Sequence, residues 1–391
     1  MAPKRVEYDM SDSAGEIAPE ALADRIESRR QVALLDVRNR EEVDAWRIDG
    51  PSVESVNVPY MKFLGAQATG GVEELVDPEE SYVVVCPRGE ASAEVAAMLT
   101  DAGVDAVNLA GGMHGWARVY RRQRIARDAT TATVYQYHRP ASGCLGYLVV
   151  SGEEALVVDP LRVFADRYAA DAEADGASVE HVLDTHVHAD HFSGLRRVAE
   201  ATGAATHLSE TAAGRGVTYE VETVADGDRI HLGDHTIEVL STPGHTTGAM
   251  SLCVDDLLLS GDSLFLDGAP RPDLQQGDES APEFARTLHE TLTERLAPLP
   301  DETVVAPGHV PPGTEPADDG TYTARLGDLR ERLAVFAESR KAFVERVLES
   351  MGAPPANFER IIAANLGRET VAEDDTFELE LGPNNCAVTA E

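Results

Sequence analysis

The rhythm of apolar and polar positions changes near residue 130 and divides the chain into two regions of different architecture. In the first, short apolar runs at 32–35 and 83–85 and a strand-like segment at 107–109 alternate with segments of helical character at 19–30, 40–46, 91–102 and 114–120. Pro19 suits the first turn of the earliest of these helices, and Gly111-Gly112 marks a turn before the last. Strands alternating with helices predict a parallel sheet with helices on its faces. Beyond residue 131 the pattern becomes one of hairpins. Runs at 146–150 and 155–158 flank the turn Ser151-Gly152-Glu153-Glu154, and runs at 179–183, 236–240, 249–254 and 257–259 follow. Helical stretches at 164–174, 195–202 and 283–296 intervene, which predicts two stacked sheets covered by helices, an αββα sandwich. After Leu326 the pattern is mainly helical. The expected organisation is a flexible, acidic N-terminus (1–14), an α/β domain (15–122), a linker (123–130) overlapping the arginine-rich stretch 118–127, a sandwich domain (131–325) and a helical C-terminal extension (326–391).

Charge narrows the range of partners. There are 69 acidic residues against 33 basic ones, a formal net charge of −36, and only Lys4, Lys62 and Lys341 are lysines. Such a surface is expected of a halophilic protein, where hydrated carboxylates maintain solubility in salt and repel one another without it. It also repels phosphate backbones and anionic lipid, so no nucleic acid and no membrane is expected as a partner, and small molecules are. No run approaches the roughly 18 apolar residues of a membrane span. The first residues mix Lys4 and Arg5 with Glu7 and Asp9 and do not read as a secretion signal, so a cytoplasmic location is expected. Cys86, Cys144, Cys253 and Cys386 lie far apart without C-x-x-C spacing, which suggests neither a zinc ribbon nor a disulfide framework.

The densest chemical signal is T-H-V-H-A-D-H, which places His186, His188, Asp190 and His191 directly after the strand 179–183. A strand end holds the backbone rigid while the following loop turns imidazoles and a carboxylate toward one point, as a metal site requires. His245 in P-G-H-T-T-G, Asp262 in S-G-D and His309 in A-P-G-H each follow an apolar strand as well. Together, and in this order, these residues resemble the metallo-β-lactamase superfamily over about residues 131–310. In dinuclear members of that family the resemblance implies one metal on His186, His188 and His245, a second on Asp190, His191 and His309, and Asp262 between them. The next segment, S-L-F-L-D-G-A-P-R-P-D-L-Q-Q-G, is similar to the G-R-x-D-x-Q segment of persulfide dioxygenases, with Arg271 and Asp273 at matching positions and Pro270 where the family has glycine. That resemblance implies a single Fe(II) on His186, His245 and Asp262, with His188, Asp190 and His191 orienting ligands and bound water, and Arg271 and Asp273 meeting substrate. Two histidines and a carboxylate are also the ligand set of non-haem iron oxygenases, because three open positions can take both substrate and O₂.

The first region carries a sulfur signature. L-L-D-V-R with Asp36 and Arg38, V-V-V-C-P-R-G-E-A-S with Cys86, and N-L-A-G-G-M-H-G-W together resemble the rhodanese family over about residues 15–122. Cys86 lies between a buried strand and a helix start, where backbone amides and the helix dipole stabilise a thiolate or persulfide, so it is the candidate sulfur carrier. The family's loop is C-x-x-G-x-R-S. Here Ala91 stands at the arginine position, and Arg88 is the nearby candidate for the missing charge.

The combined expectation is an enzyme that oxidises a low-molecular-weight thiol persulfide to sulfite with one Fe(II) per chain, coupled to sulfur transfer among thiosulfate, sulfite and the thiol pool at Cys86. The alternatives are a dinuclear hydrolase of the glyoxalase II type with two Zn(II), and a sulfane-sulfur carrier or sensor with a structural metal site. The motifs P-P-A-N (354–357) and A-A-N-L-G (363–367) have no mechanism from sequence. The extension around them is expected to cover the cleft or to join copies in a homo-oligomer.

Overall fold

A computed structural model describes residues 15–126, 129–311, 313–382 and 387–388. The expected flexible N-terminus, 1–14, and Cys386 lie outside the described residues. The chain forms two compact units, one comprising residues up to Val119 with Arg139–Ser142, the other Tyr120–His138 with Gly143–Glu391.

In the first unit five strands, in the order Glu16–Ile17, Asp105–Leu109, Ser81–Val85, Val32–Asp36 and Val53–Asn57, form a wholly parallel sheet. Leu34, Leu35, Val83 and Val84 are fully buried, which is why the inner strands read as continuous apolar runs rather than alternations. Leu35 and Val84 pack with Val95 and Leu99 of the helix Glu90–Asp101. The strand Val53–Asn57 sits at the edge with its middle three residues exposed, and the helix Tyr60–Thr69 buries only Phe63. Neither has the apolar run that identified the others.

The second unit is built on two sheets. One has seven strands in the order Glu222–Val224, Ala205–Ser209, Ser178–Leu183, Glu154–Val158, Cys144–Ser151, Thr133–Arg139 and Arg121–Arg124; the other has six, in the order Arg229–Leu232, His235–Ser241, Met250–Val254, Leu257–Gly261, Val304–Pro307 and Ala324–Arg325. The arginine-rich segment expected as a linker therefore contributes an edge strand, paired antiparallel with Thr133–Arg139. Period two separates the layers. Tyr147, Val149, Leu257 and Leu259 face the core between the sheets, whereas Leu148 and Val150 pack outward against Ala165, Tyr168 and Ala172, and Leu258 packs outward against Ala285 and Leu288. Each such aliphatic side chain contributes roughly 1.5–3 kcal/mol by leaving water. The outer helices are Ala165–Ala174 and Leu195–Thr202 on one face and Ala281–Glu290 on the other, giving four layers in the order αββα.

The C-terminal extension is helical and serves two places. Leu326, Leu329, Phe343 and Val347 join the layer of the helix Ala281–Glu290. Ile361 and Ala364, of the helix Phe358–Asn365, pack against Phe192 in the loop that carries the histidine motif. Among the described residues no helix is long and apolar enough to cross a membrane.

Candidate functional site

Strand ends deliver the polar groups. The strand Ser178–Leu183 runs into the loop bearing His186, His188, Asp190 and His191; Asp262 follows Leu257–Gly261, His309 follows Val304–Pro307, and His245 lies in the turn between His235–Ser241 and Met250–Val254. All seven side chains are buried. The loop is tied down from both sides. Thr185 donates to Asp159 through its amide and its hydroxyl, at 2.6 and 2.8 Å. Asn365 Nδ2 donates to the carbonyls of His188 and His191 at 3.0 and 2.9 Å, while its Oδ1 accepts from the Ser193 amide at 2.9 Å.

Within this frame the seven residues form three groups rather than one. The first is His186, His245 and Asp262. Each imidazole brings Nε2 to 3.8 Å from Asp262 Oδ2. His245 Nδ1 donates to the Arg271 carbonyl at 2.7 Å, which fixes the tautomer and leaves the lone pair on Nε2. His186 Nδ1 lies 3.0 Å from Thr185 Oγ1. Although buried, neither His186 Nε2 nor Asp262 Oδ2 has a hydrogen-bond partner, a condition that a cation between them resolves. Burial, followed by the neighbouring imidazoles of His188 and His245, pushes His186 well below the ordinary histidine range, and burial lowers His245 too. Both rings are neutral, as metal ligation requires. The set fits a divalent metal held by two imidazoles and a carboxylate with further positions open. Gly308 matters to this fit: a Cβ there would lie 2.5 Å from Asp262 Oδ1.

His188 departs from the three-histidine arrangement. Its Nε2 lies 3.1 Å from Asp159 Oδ1 and 3.9 Å from Asp184 Oδ1, so its group is Asp159, Asp184 and His188. Burial raises the Asp184 carboxyl to about 6 despite the pull of His188.

The third group is Asp190, His191 and His309, joined by Cys144. His309 spans two carboxylates, with Nδ1 at 2.7 Å from Asp262 Oδ1 and Nε2 at 2.9 Å from Asp190 Oδ2. The Asp262 oxygen that would bridge to a second metal is thus engaged by an imidazole. Burial opposes charge on His309, but Asp262 and Asp190 outweigh it and hold its pKa well above the usual range; for His191, Asp190 does the same.

Arg271 is 2% exposed and its guanidinium is committed inward. Nε and an NH2 group reach the two carboxylate oxygens of Asp273 at 2.7 and 2.8 Å, and the remaining donors reach the carbonyls of Ala353 and Gly352 at 2.8 and 3.1 Å. This clamp between loop and C-terminal extension also sets the carbonyl that orients His245. Gln275 adds to it by accepting from the Thr247 amide at 2.9 Å.

In the first unit, Cys86 lies between Ser81–Val85 and Glu90–Asp101 with 2% exposure. Its Sγ accepts from the Gly89 amide and the Ser92 hydroxyl, both at 3.1 Å. The carbonyl of Cys86 accepts from the Met113 amide at 2.9 Å, and a Cβ at Gly112 would stand 2.1 Å from that oxygen, so the two glycine-containing loops fit only without a side chain there. Arg88 is exposed on the loop. Asp36 and Arg38 form a buried pair, with Arg38 NH2 2.7 Å from Asp36 Oδ2 and 2.6 Å from the Trp46 carbonyl. They brace the loop after Val32–Asp36.

Sequence reasoning left out four residues of the metal region. Asp159, at the end of an apolar strand, and Asp184, just ahead of the histidines, carry a strand-end signal of the kind used for Asp262. Cys144 and Asn365 carry none. Replacing Asn365 tests its bracing role. Asn365→Ala leaves two buried carbonyls and an amide without partners, each costing up to about 1–3 kcal/mol. Metal affinity is expected to fall about 10–100-fold, the usual cost of losing a group that orients ligands. Asn365→Asp is expected to be worse, since a carboxylate has no donor for the two carbonyls. Metal titration and thermal melting of the three proteins check this order.

Residues 139–309 match the metallo-β-lactamase superfamily and residues 18–119 the rhodanese-like domain. The human mitochondrial persulfide dioxygenase ETHE1 is 30% identical over 198 residues, covering 49% of this chain and 74% of that protein. Hydroxyacylglutathione hydrolase of Polaromonas sp. is 39% identical over 171 residues, covering 42% of this chain and 60% of that protein. Among solved structures, ETHE1 from Myxococcus xanthus matches with a TM-score of 0.52 at 29% identity, covering 60% of this chain and 98% of that one. The buried histidine and aspartate clusters at the strand ends, and the extent of these matches, place the chain in the metallo-β-lactamase superfamily, with a rhodanese-like domain ahead of its metal-binding domain.

Proposed function

We propose that the protein is a cytoplasmic iron-dependent persulfide dioxygenase whose rhodanese-like domain transfers sulfane sulfur at Cys86. The observation that carries this reading is the convergence of two neutral imidazoles, His186 and His245, on the unpartnered Asp262 Oδ2. His186, His245 and Asp262 would hold a single Fe(II), which would supply the open coordination and redox chemistry that reaction of a persulfide with O₂ needs. The protein's own groups then hold the geometry. The Arg271 carbonyl orients His245, His309 donates to Asp262 Oδ1, and the Arg271–Asp273 clamp fixes the loop rather than meeting substrate directly. The overall change is RSSH + O₂ + H₂O giving RSH, sulfite and two protons. At Cys86 the thiolate attacks the outer sulfur of thiosulfate, sulfite leaves with the electron pair of the S–S bond, and the enzyme persulfide passes its sulfur to a thiol acceptor.

The thioester-hydrolase reading draws on the hydroxyacylglutathione hydrolase likeness and on the retention of Asp190, His191 and His309. Against it stand the turn of His188 toward Asp159 and the engagement of the bridging oxygen of Asp262 by His309. Oxygen consumption by the anaerobically Fe(II)-loaded protein in concentrated salt, on addition of a thiol persulfide, separates the two. Catalytic uptake with stoichiometric sulfite, abolished in His245→Ala, is expected. No uptake, with two zincs per chain in the native preparation, overturns the proposal in favour of the hydrolase.

A further inference from the structure

The sulfur of Cys86 heads a line of polar side chains that the sulfur-transfer reading leaves unused. Ser92, in the helix Glu90–Asp101, is fully buried, and its hydroxyl reaches Cys86 Sγ at 3.1 Å, the Gly89 carbonyl at 3.2 Å and Asn108 Oδ1 at 2.6 Å. Asn108 is buried as well, and its Nδ2 donates to Glu16 Oε1 at 2.7 Å. Register builds this last contact. Glu16 and Asn108 are partners across the parallel ladder between Glu16–Ile17 and Asp105–Leu109, so their side chains leave the sheet side by side on one face. Glu16 is exposed, and the line therefore runs from a buried sulfur to a carboxylate at the surface.

The donors and acceptors along the line constrain one another. A carboxylate only accepts, so Glu16 turns the amide NH2 of Asn108 toward itself and leaves Oδ1 facing Ser92. Ser92 has one hydroxyl proton, and its bond to Cys86 Sγ competes with the shorter bond to Asn108. With Cys86 a thiol, S–H donates to Ser92 Oγ, Ser92 donates to Asn108, and each group is satisfied. With Cys86 a thiolate, the Ser92 proton turns to the sulfur, and two buried oxygens 2.6 Å apart face each other with no proton between them. The Gly89 amide donates to the sulfur in either state.

We propose that Glu16 and Asn108 are positioning residues of the sulfur-transfer site, which hold the Ser92 proton away from Cys86 and so keep the resting residue a thiol. The proposal rests on the reading of Cys86 as the sulfur carrier. When that carrier unloads, the acceptor thiolate bonds to the outer sulfur, the S–S bond breaks and its electron pair stays on Cys86 Sγ. Ser92 then turns its proton from Asn108 to the sulfur, a movement that Glu16 resists through the amide. The other ionisable side chains on the elements around the sulfur are Arg88, Glu90 and Glu94 on its loop and the helix after it, His114 on Gly112–Trp116, and the Asp36–Arg38 pair after Val32–Asp36. All of them are retained in the variants that test the line.

The rate at which iodoacetamide alkylates Cys86, followed against pH on the Cys86 peptide of the full-length protein by mass spectrometry, reads the thiol directly and requires no sulfur transfer. Burial of the sulfur slows the reaction at every pH alike and leaves the midpoint in place. Glu16→Gln, whose amide pairs with either orientation of Asn108, is expected to lower the midpoint by about one pH unit, roughly the worth of one hydrogen bond to a charged group. Asn108→Leu, which frees Ser92 while keeping the Glu16 charge, is expected to lower it too. In a Ser92→Ala background, Glu16→Gln should leave the midpoint where it is, because the residue that carries its effect is gone. An unmoved midpoint in Glu16→Gln or Asn108→Leu overturns the proposal, as does an equal shift from Glu16→Gln in the Ser92→Ala background, the mark of a direct effect of charge. Absence of sulfur transfer from a wild-type protein whose variants show the expected midpoints would count against the carrier reading alone.

Discussion

Asp262→Asn is expected to lose most of its affinity for metal while retaining its fold. The substitution is isosteric, and its carbonyl oxygen can still accept from His309 Nδ1, the 2.7 Å contact that Asp262 Oδ1 makes now. What it removes is the charge and the second oxygen, Oδ2, on which His186 and His245 converge. Two neutral imidazoles without an anion bind a divalent metal weakly, since an ion buried away from water needs a compensating charge. Turnover should fall by well over about 100-fold, more than the loss of an outer orienting group costs. A sharper readout is thermal. Wild-type protein at 100 times the metal dissociation constant gains about 2.7 kcal/mol over its apo form, and the variant should gain nothing from the same Fe(II) concentration. Retention of the metal-dependent shift in melting temperature would show that the ion sits elsewhere.

The ease of reading this centre from sequence has a physical cause. His186, His188, Asp190 and His191 lie within six residues of one strand end, and the remaining ligands follow apolar strands, so local pattern places them near the same edge of the sandwich. The same local pattern cannot say which way a ring turns. His188 shares the motif but faces Asp159, because a buried carboxylate already engaged by Thr185 stands on that side. Arg271 illustrates the point from the other direction. Expected from sequence to meet substrate, it also donates to the neighbouring Asp273 and to the Gly352 and Ala353 carbonyls, which lie about 80 residues downstream and which no local signal announces. Asn365 and Cys144 were invisible for the same reason: their partners lie 174 and 46 residues away in the chain, at His191 and Asp190. In the first unit, the strand Val53–Asn57 escaped notice because an exposed edge strand has no apolar run to show.

Cys86→Ser is expected to abolish sulfur transfer while leaving persulfide-dependent O₂ uptake in place, the converse of Asp262→Asn. The serine oxygen can accept the same bonds from the Gly89 amide and the Ser92 hydroxyl that Sγ accepts at 3.1 Å, so the loop should keep its shape. An alcohol at this position neither ionises near neutral pH nor carries a sulfane sulfur, so the two-step route through an enzyme persulfide ends. Loss of a covalent nucleophile of this kind costs at least about 10³-fold in turnover. The pair of variants also tests whether the two chemistries are coupled. If sulfite made at the iron position is consumed at Cys86, wild-type protein given a thiol persulfide in excess should accumulate thiosulfate, and Cys86→Ser should accumulate sulfite in its place at an unchanged rate of O₂ uptake. Sulfite as the sole product of both proteins would mean that the two domains share a chain but not an intermediate. Thiosulfate from the Cys86→Ser protein would place the sulfur transfer at another thiol. The exposed position of Arg88 and the alanine at residue 91 bear on the same experiment, because a loop with no buried guanidinium has less to hold a dianion such as thiosulfate. Weak retention of thiosulfate is therefore expected, to be read as a high KM for thiosulfate in sulfur-transfer assays of the wild-type protein.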